Sequence, residues 1–140
     1  IIIDYAHTPD GLKNLLSTAR TITKSRLITL FGCGGERDKS KRALMGKVAS
    51  RYSDYIVITS DNPRSEDPAE IIKEIEWGVN VKDFKCIQDR TEAVRFALAE
   101  MEEGDTLVLA GKGNENYLEI KGKKIPYSDF DVVARYGQLR

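Results

Sequence analysis

The chain has 140 residues, which is enough for one domain, and its 22 basic side chains balance its 22 acidic ones. Because neither sign dominates, the composition gives no support for a nucleic-acid partner or for binding to a membrane surface. No apolar run approaches the roughly 20 residues that a transmembrane helix needs. Cys33 and Cys86 lack metal-ligand spacing, so we interpret both as free thiols in packing positions of a cytoplasmic protein.

Short runs of β-branched and other apolar residues alternate with longer segments of helical period. The short runs predict strands at residues 1–4, 26–31, 55–59, 84–88 and 106–110. The longer segments place apolar residues at spacings of three and four, which predicts amphipathic helices between the strands. Because the chain opens directly on a strand-like run, we expect it to be a piece of a longer protein.

Polar residues that can cap helices mark where the predicted helices begin. The candidate N-caps are Thr8, Asp67, Asp89 and Ser128. Pro9 and Pro68 directly follow two of these caps, and proline is favoured in the first turn of a helix. Near the end of the chain, residues 117–120 and 123–126 flank Gly122 and predict a small hairpin.

This alternation predicts an α/β fold of the Rossmann-like, doubly wound type, with a mostly parallel sheet and helices on both faces. The hairpin adds a small antiparallel edge element near the C-terminus. The sequence contains no internal repeat and no recognisable linker, so we interpret all 140 residues as a single domain.

Glycines and polar residues cluster in the loops that follow four of the predicted strands. These loops cover residues 5–8, 32–39, 60–64 and 111–115. The loop after the strand at residues 84–88 has no comparable content. In a parallel sheet such loops emerge at the carboxyl edge, where open α/β folds bind their ligands. The pattern therefore predicts a site for a polar or anionic ligand at that edge.

Each loop taken alone also has an ordinary structural explanation. The glycines of residues 32–35 could bring backbone N–H groups to an anion, or they could form a flexible turn before a basic helix start. His7, the only histidine, could be an exposed turn residue, and residues 61–63 make a good turn by themselves. Trp77 is interpreted as a core or rim aromatic rather than as a ligand platform.

Taken together, the loops resemble the C-terminal domain of Mur ligases of the MurE type. The main matching segments are DYAHTPD at residues 4–10, FGCGGERDKSKR at 31–42, DNPR at 61–64 and AGKGNE at 110–115, and YSD at 127–129 also matches. Their order and spacing agree across nearly the whole chain. One departure is GKGNENY at residues 111–117, where the family usually has GKGHEDY, so positions 114 and 116 receive no role.

The resemblance implies an ATP- and Mg²⁺-dependent amide-bond ligase of peptidoglycan precursor synthesis. In that family ATP phosphorylates the glutamyl carboxylate of UDP-N-acetylmuramoyl-L-alanyl-D-glutamate, and an amine, here that of meso-diaminopimelate, attacks the acyl phosphate. It also implies two further domains in the same chain, a central domain with most metal ligands and an N-terminal UDP-binding domain. It assigns no catalytic residue and no metal ligand to this domain, which we expect to be inactive alone.

The matched motifs imply which residues bind ligands. By resemblance, the residues that contact diaminopimelate are Arg37, Asp61, Asn62, Arg64, Gly111 and Glu115. Those on the ATP side are Asp4, His7, Lys39 and Lys41. Diaminopimelate differs from lysine by a carboxylate beside its distal amine. Arg64 offers that carboxylate a planar guanidinium fork, which lysine-adding relatives typically lack, while Asp61, Asn62 and Glu115 offer acceptors for the ammonium.

Other functions stay open from the sequence. A thioether isostere such as meso-lanthionine presents the same end groups as diaminopimelate. Lysine-adding Mur ligases, muropeptide ligases, and folylpolyglutamate or cyanophycin synthetases also carry aspartate and histidine in the first loop, but residues 34–39 combined with 61–64 argue against them. A module that binds a small anion without chemistry is a further alternative.

Overall fold

Five parallel strands form the central sheet of the structure, a computed structural model that describes residues 1–137. The strands are β1 (Ile2–Asp4), β2 (Leu27–Phe31), β3 (Tyr55–Ile58), β4 (Phe84–Cys86) and β5 (Thr106–Ala110). Their order across the sheet is β1-β5-β2-β3-β4. A separate antiparallel hairpin consists of β6 (Tyr117–Ile120) and β7 (Lys123–Pro126). The predicted α/β class, with a mostly parallel sheet and a small antiparallel element, is confirmed.

Five helices connect and follow these strands. They are α1 (Pro9–Ile22), α2 (Ser40–Tyr52), α3 (Pro68–Glu76), α4 (Arg90–Glu100) and α5 (Asp129–Tyr136). The predicted N-caps are confirmed, because their side chains accept backbone hydrogen bonds at the starts of four helices: Thr8, Asp67, Asp89 and Ser128. Among the helices of the described residues, none has the length and apolar character that crossing a membrane requires.

The core lies in two layers, one on each face of the sheet. Helices α1, α2 and α3 cover one face, and α4 and α5 cover the other. The residues of β2, in the middle of the sheet, are all buried. Cys33 is buried against Met45 as predicted, but the packing role predicted for Cys86 is wrong, because this residue of the edge strand β4 is exposed. Trp77 is 69% exposed at the end of α3, so it is a rim residue and not a core residue.

The strand order explains why four loops meet and a fifth does not. Strands β1, β5, β2 and β3 are consecutive neighbours, so the loops that leave their carboxyl ends lie side by side. Strand β4 is at the outer edge of the sheet, next to β3 only. The carboxyl edge therefore brings together the four polar loops that the sequence singles out.

A buried ion pair near this edge was not predicted from the sequence. Arg90, the first residue of α4, donates to both carboxylate oxygens of Asp129 at 2.9 and 3.0 Å, and both side chains are inaccessible to solvent. Arg90 also donates to the carbonyl oxygens of Ser60 and Ala110. Burial by itself would raise the pKa of the Asp129 carboxyl, but Arg90 outweighs that effect and holds the pKa below its usual value. The pair thus ties α5 to the ends of two strands.

Replacing Asp129 with asparagine tests the importance of this pair. We expect Asp129→Asn to lower the free energy of unfolding at neutral pH by about 3–5 kcal/mol, because the Arg90 charge is left buried without its counter-ion. Urea denaturation measures the loss. Asp131→Asn, an exposed change in the first turn of the same helix, is the control. Equal stability of the two variants would contradict this account.

Candidate functional site

A cavity of about 280 Å³ opens at the carboxyl edge of the sheet, near the lower end of the size range of ligand pockets. All six residues predicted to contact the amino acid line it: Arg37, Asp61, Asn62, Arg64, Gly111 and Glu115. Its other lining residues are Tyr5, His7, Gly32, Cys33, Gly34 and Lys41. The guanidinium of Arg64 and the carboxylate of Glu115 thus belong to one cavity beside the histidine loop.

The four residues predicted for the ATP side do not all lie together. His7 and Lys41 line the cavity. Asp4 lies in a groove beside the start of α1, which His7 also lines, and its side chain accepts a hydrogen bond from the backbone N–H of Ala6. Lys39 lines neither the cavity nor that groove; its Nζ atom lies 3.8 Å from the carboxylate of Glu66. His7 therefore stands where the cavity and the groove adjoin.

Protein groups hold the Arg64 side chain on two of its three nitrogens. Nε donates to Glu119 at 3.0 Å, and Nη1 donates to the carbonyl oxygen of Gly35 at 2.8 Å. The planar guanidinium that the sequence analysis assigned to a ligand carboxylate is thus partly hydrogen-bonded within the protein. Within residues 1–137 the third nitrogen, Nη2, has no hydrogen-bond partner, which leaves its two N–H groups available to an anionic ligand.

The backbone of the loop after β3 is strained and is hydrogen-bonded to the β6–β7 hairpin. Asn62 and Arg64 have φ angles of 49° and 55°, in the left-handed region that non-glycine residues rarely adopt. The N–H of Arg64 donates to the carbonyl of Glu119, and the N–H of Lys121 donates to the carbonyl of Arg64. Strained residues persist only where their surroundings determine the conformation, and they cluster at functional sites. The hairpin supplies that constraint here.

Lys112 is a site residue that the sequence analysis missed. Its side chain has no solvent exposure, and its ammonium donates to three acceptors: Asp61 at 3.1 Å, Asn62 at 3.0 Å and Glu115 at 2.9 Å. A lysine has three N–H donors, so these contacts satisfy it fully. Lys112 does not line the cavity; it lies behind the side chains that do. Its position between two glycines gave no signal of burial, since a lysine in a loop is normally solvated.

Two glycines of the loop after β2 lie against the backbone of the loop after β3. A Cβ atom at Gly35 would lie 1.9 Å from the carbonyl oxygen of Pro63, and one at Gly32 would lie 2.3 Å from that of Thr59. The N–H of Gly35 already donates to the carbonyl of Asn62. These glycines let two neighbouring loops approach each other. The interpretation that they bring backbone N–H groups to an anion is therefore wrong for Gly35, whose N–H is occupied.

Arg42 is a buried cation that links the loops after β2 and β3. Arg42, only 1% exposed, donates to the carboxylates of Glu66 and Glu74 and to the carbonyl oxygen of Gly34. The side chain of Glu66 also accepts a hydrogen bond from the N–H of Glu36. These hydrogen bonds, those from Arg42 first, lower the pKa of Glu66 to about 2. The contacts of Arg42 and Glu66 fix the loop after β2, from which Arg37 enters the cavity.

The cavity presents both signs of charge to a ligand. Arg37, Lys41 and Arg64 are its cationic groups, and Asp61 and Glu115 are its carboxylates. Burial raises the pKa of the Cys33 thiol to about 12, so this lining residue is not a thiolate nucleophile near neutral pH. Among the residues that the structure describes, no group of three or more His, Cys, Asp or Glu side chains could hold a metal ion. The arrangement suits recognition of a small zwitterion.

Comparison with known proteins identifies the family. The family described as "Mur ligase, glutamate ligase domain" matches residues 1–113. The chain belongs to this family. It is 53% identical over 134 residues to a UDP-N-acetylmuramoyl-L-alanyl-D-glutamate--2,6-diaminopimelate ligase from Aquifex aeolicus (strain VF5), covering 95% of this chain and 28% of that protein. A protein of the same name from Prochlorococcus marinus (strain NATL1A) is 48% identical over 141 residues, covering 100% of this chain and 28% of that protein.

Solved structures agree with the family assignment. A structure of a UDP-N-acetylmuramoyl-L-alanyl-D-glutamate--2,6-diaminopimelate ligase superposes with a TM-score of 0.93 at 40% identity, covering 98% of this chain and 28% of that one. A murein peptide ligase from Psychrobacter arcticus, with a TM-score of 0.57 at 14% identity over 79% of this chain and 24% of that one, shares the fold. This Mur ligase domain spans about 28% of the length of the curated relatives it matches.

Adding one methyl group at Gly35 tests the close approach of the two loops. We expect Gly35→Ala to lower the free energy of unfolding by about 1–3 kcal/mol, because the new Cβ forces the loops apart. Gly137→Ala, where a Cβ would meet only ordinary van der Waals contact at 3.7 Å, is the control. Thermal or urea unfolding compares the two. A stability of Gly35→Ala as high as that of the control would show that the loops yield freely.

The hydrogen bonds that Glu66 accepts make the free energy of unfolding depend on pH. Glu66 has its pKa lowered from 4.5 to about 2, so its ionised form stabilises the fold fully above about pH 4.5. This contribution is lost as the pH falls from about 4.5 to about 2. We expect Glu66→Gln to be less stable than the unmodified chain at pH 7, with a difference that shrinks as the pH falls through about 2. Unfolding midpoints measured across this pH range test the prediction, with the exposed Glu103→Gln as control. A difference in stability that does not change with pH would contradict it.

Proposed function

We propose that this chain is the C-terminal domain of a UDP-N-acetylmuramoyl-L-alanyl-D-glutamate--2,6-diaminopimelate ligase, and that its cavity binds the amino acid which that enzyme adds. About 50% identity to proteins of that name, along essentially the whole chain, supports the proposal. The remaining length of such relatives supports the presence of further domains in the full protein.

A single structural observation carries the assignment of the ligand. Arg64 and Glu115, on loops that follow β3 and β5, line one cavity of about 280 Å³. The distal end of meso-diaminopimelate carries a carboxylate and an ammonium on the same carbon atom. Such an end group needs a cation and carboxylates in one cavity, which is what these residues offer. A meso-lanthionine end group is chemically the same, so these side chains would accept it as well.

The two halves of the ligand's end group would have different partners. The Nη2 group of Arg64, unoccupied within residues 1–137, would donate to the carboxylate, and a charge-assisted bond of this kind is stronger than a neutral one. Arg37 adds a second positive charge to the same cavity. The free carboxylate oxygens of Asp61 and Glu115 would accept from the ammonium, whereas the side-chain oxygen of Asn62 already accepts from Lys112 and from the N–H of Glu119. Holding this end fixes where the amine at the other end of the molecule points.

Amide-bond formation in the full protein would need activation of the acyl acceptor, because a free carboxylate is a poor electrophile. ATP with Mg²⁺ supplies that activation by phosphorylating the glutamyl carboxylate of UDP-N-acetylmuramoyl-L-alanyl-D-glutamate. In this proposal the residues of the present chain bind and orient the amine, and His7 and Lys41 face the nucleotide side. By the family resemblance, the groups that hold Mg²⁺ would come mainly from the rest of the protein.

Removal of the Arg64 side chain in the full-length ligase tests the proposal. We expect Arg64→Ala to reduce the preference for meso-diaminopimelate over lysine by about 2–4 kcal/mol in kcat/KM, the scale of a lost charge-assisted contact in a specific site. Phosphate release that depends on the added amino acid is the measurement. Arg64→Lys should recover only part of the preference, because an ammonium keeps the charge and loses the planar donors.

Arg51→Ala, a change of an exposed arginine on α2 that does not line the cavity, is the control and should leave the preference unchanged. If Arg64→Ala keeps the full preference, the cavity does not read the distal carboxylate through this residue. If the full-length protein releases no phosphate with diaminopimelate, lanthionine or lysine, the proposed activity is wrong.

A further inference from the structure

The side chains that would bind the ligand's ammonium converge on one buried ammonium of the protein. Lys112 bonds one oxygen atom from each of Asp61, Asn62 and Glu115, at 2.9–3.1 Å. It uses Oδ1 of Asp61 and Oε1 of Glu115. Within residues 1–137 the second oxygen of each carboxylate has no hydrogen-bond partner. Lys112 therefore engages the back of these side chains and leaves a free oxygen on each of the two carboxylates for a ligand.

The three acceptors come from two separate loops, which would not assemble without a cation between them. Asp61 and Asn62 follow β3, whereas Glu115 follows β5, and two carboxylates facing one point repel each other. Lys112 is completely buried, so water does not screen this charge. Gly111, with a φ of 108°, completes the fit, because a Cβ there would lie 2.7 Å from Oδ2 of Asp61. The geometry makes Lys112 the common anchor of the acceptor set.

We propose that Lys112 is a positioning residue for amine recognition, acting from behind the cavity wall through the carboxylates of Asp61 and Glu115. This inference rests on the proposed function, since it takes the ligand to be an amino acid with a distal ammonium. It gives Lys112 a task distinct from that of Arg64. Arg64 reads the distal carboxylate, whereas Lys112 sets the acceptors that read the distal ammonium.

Three amino acids separate these two tasks in the full-length ligase. meso-Diaminopimelate carries both distal groups, lysine carries only the ammonium, and 2-aminopimelate carries only the carboxylate. We expect Lys112→Met to raise KM for diaminopimelate and for lysine by roughly 10- to 100-fold, the range seen when an outer partner of a binding group is removed. KM for 2-aminopimelate and for ATP should stay unchanged. Arg64→Ala should show the other pattern, with KM raised for diaminopimelate and 2-aminopimelate and not for lysine.

The effect of Lys112→Met should fall on KM and not on kcat, because binding of the distal end is the same in the ground and transition states. Lys47→Met, a change of an exposed lysine on α2, is the matched control and should alter none of these constants. An equal rise in KM for all three amino acids, or no rise, would overturn the proposal for Lys112.

Two further results are also decisive. If Lys112→Met does not fold, Lys112→Gln keeps two N–H donors without the charge and is measured with the same three amino acids. If neither variant folds, the lysine is a structural ion and the proposal is wrong. If the unmodified ligase releases phosphate with none of the amino acids, the proposed function itself fails. An active ligase in which Lys112→Met affects all three amino acids alike refutes only the role of Lys112.

Discussion

The convergence of three acceptor side chains on the buried ammonium of Lys112 is the interaction on which the cavity depends. Asp61 lies 51 residues before Lys112, on the loop after β3, and Glu115 lies 3 residues after Lys112 on the same loop after β5, yet their carboxylates face the same point. A buried charge is tolerated only where it is paired and fully hydrogen-bonded, and Lys112 meets both conditions. One cation thus determines where the loops after β3 and β5 stand relative to each other.

Two more buried cations are paired with carboxylates along the carboxyl edge. Arg42 joins the glycine-rich loop to the loop after β3, and Arg90 joins the ends of β3 and β5 to α5 through Asp129. Loops have little apolar surface of their own, so hydrophobic burial alone does not order them. Charge-assisted hydrogen bonds to carbonyl oxygens supply that order. The cavity is consequently rigid at its base, where selectivity for a small zwitterion requires fixed donors and acceptors.

The fold could be predicted because its signals are local in the sequence. The roles of these cations could not be predicted, because their partners are distant in sequence. The caps Thr8 and Ser128 and the hairpin around Gly122 depend on residues within a few positions, and the structure has them where the sequence predicts. Lys112, Arg42 and Arg90 look like solvated residues until the strand order is known. The sequence analysis expected Gly35 to allow a close approach because it lacks a Cβ. The group that approaches is the backbone of Pro63 and not a ligand. Motif matching located the cavity wall without indicating what supports it.

Asn62 connects the two recognition tasks assigned to this cavity. Its side-chain oxygen accepts from Lys112 and from the N–H of Glu119, and its carbonyl oxygen accepts from Gly35 and from the Arg64 guanidinium. Its backbone lies in the left-handed region, with a φ of 49°. Residues that share a partner contribute to binding non-additively. Asn62 is thus a shared partner of Lys112 and Arg64, the residues to which the proposed ammonium-reading and carboxylate-reading tasks are assigned.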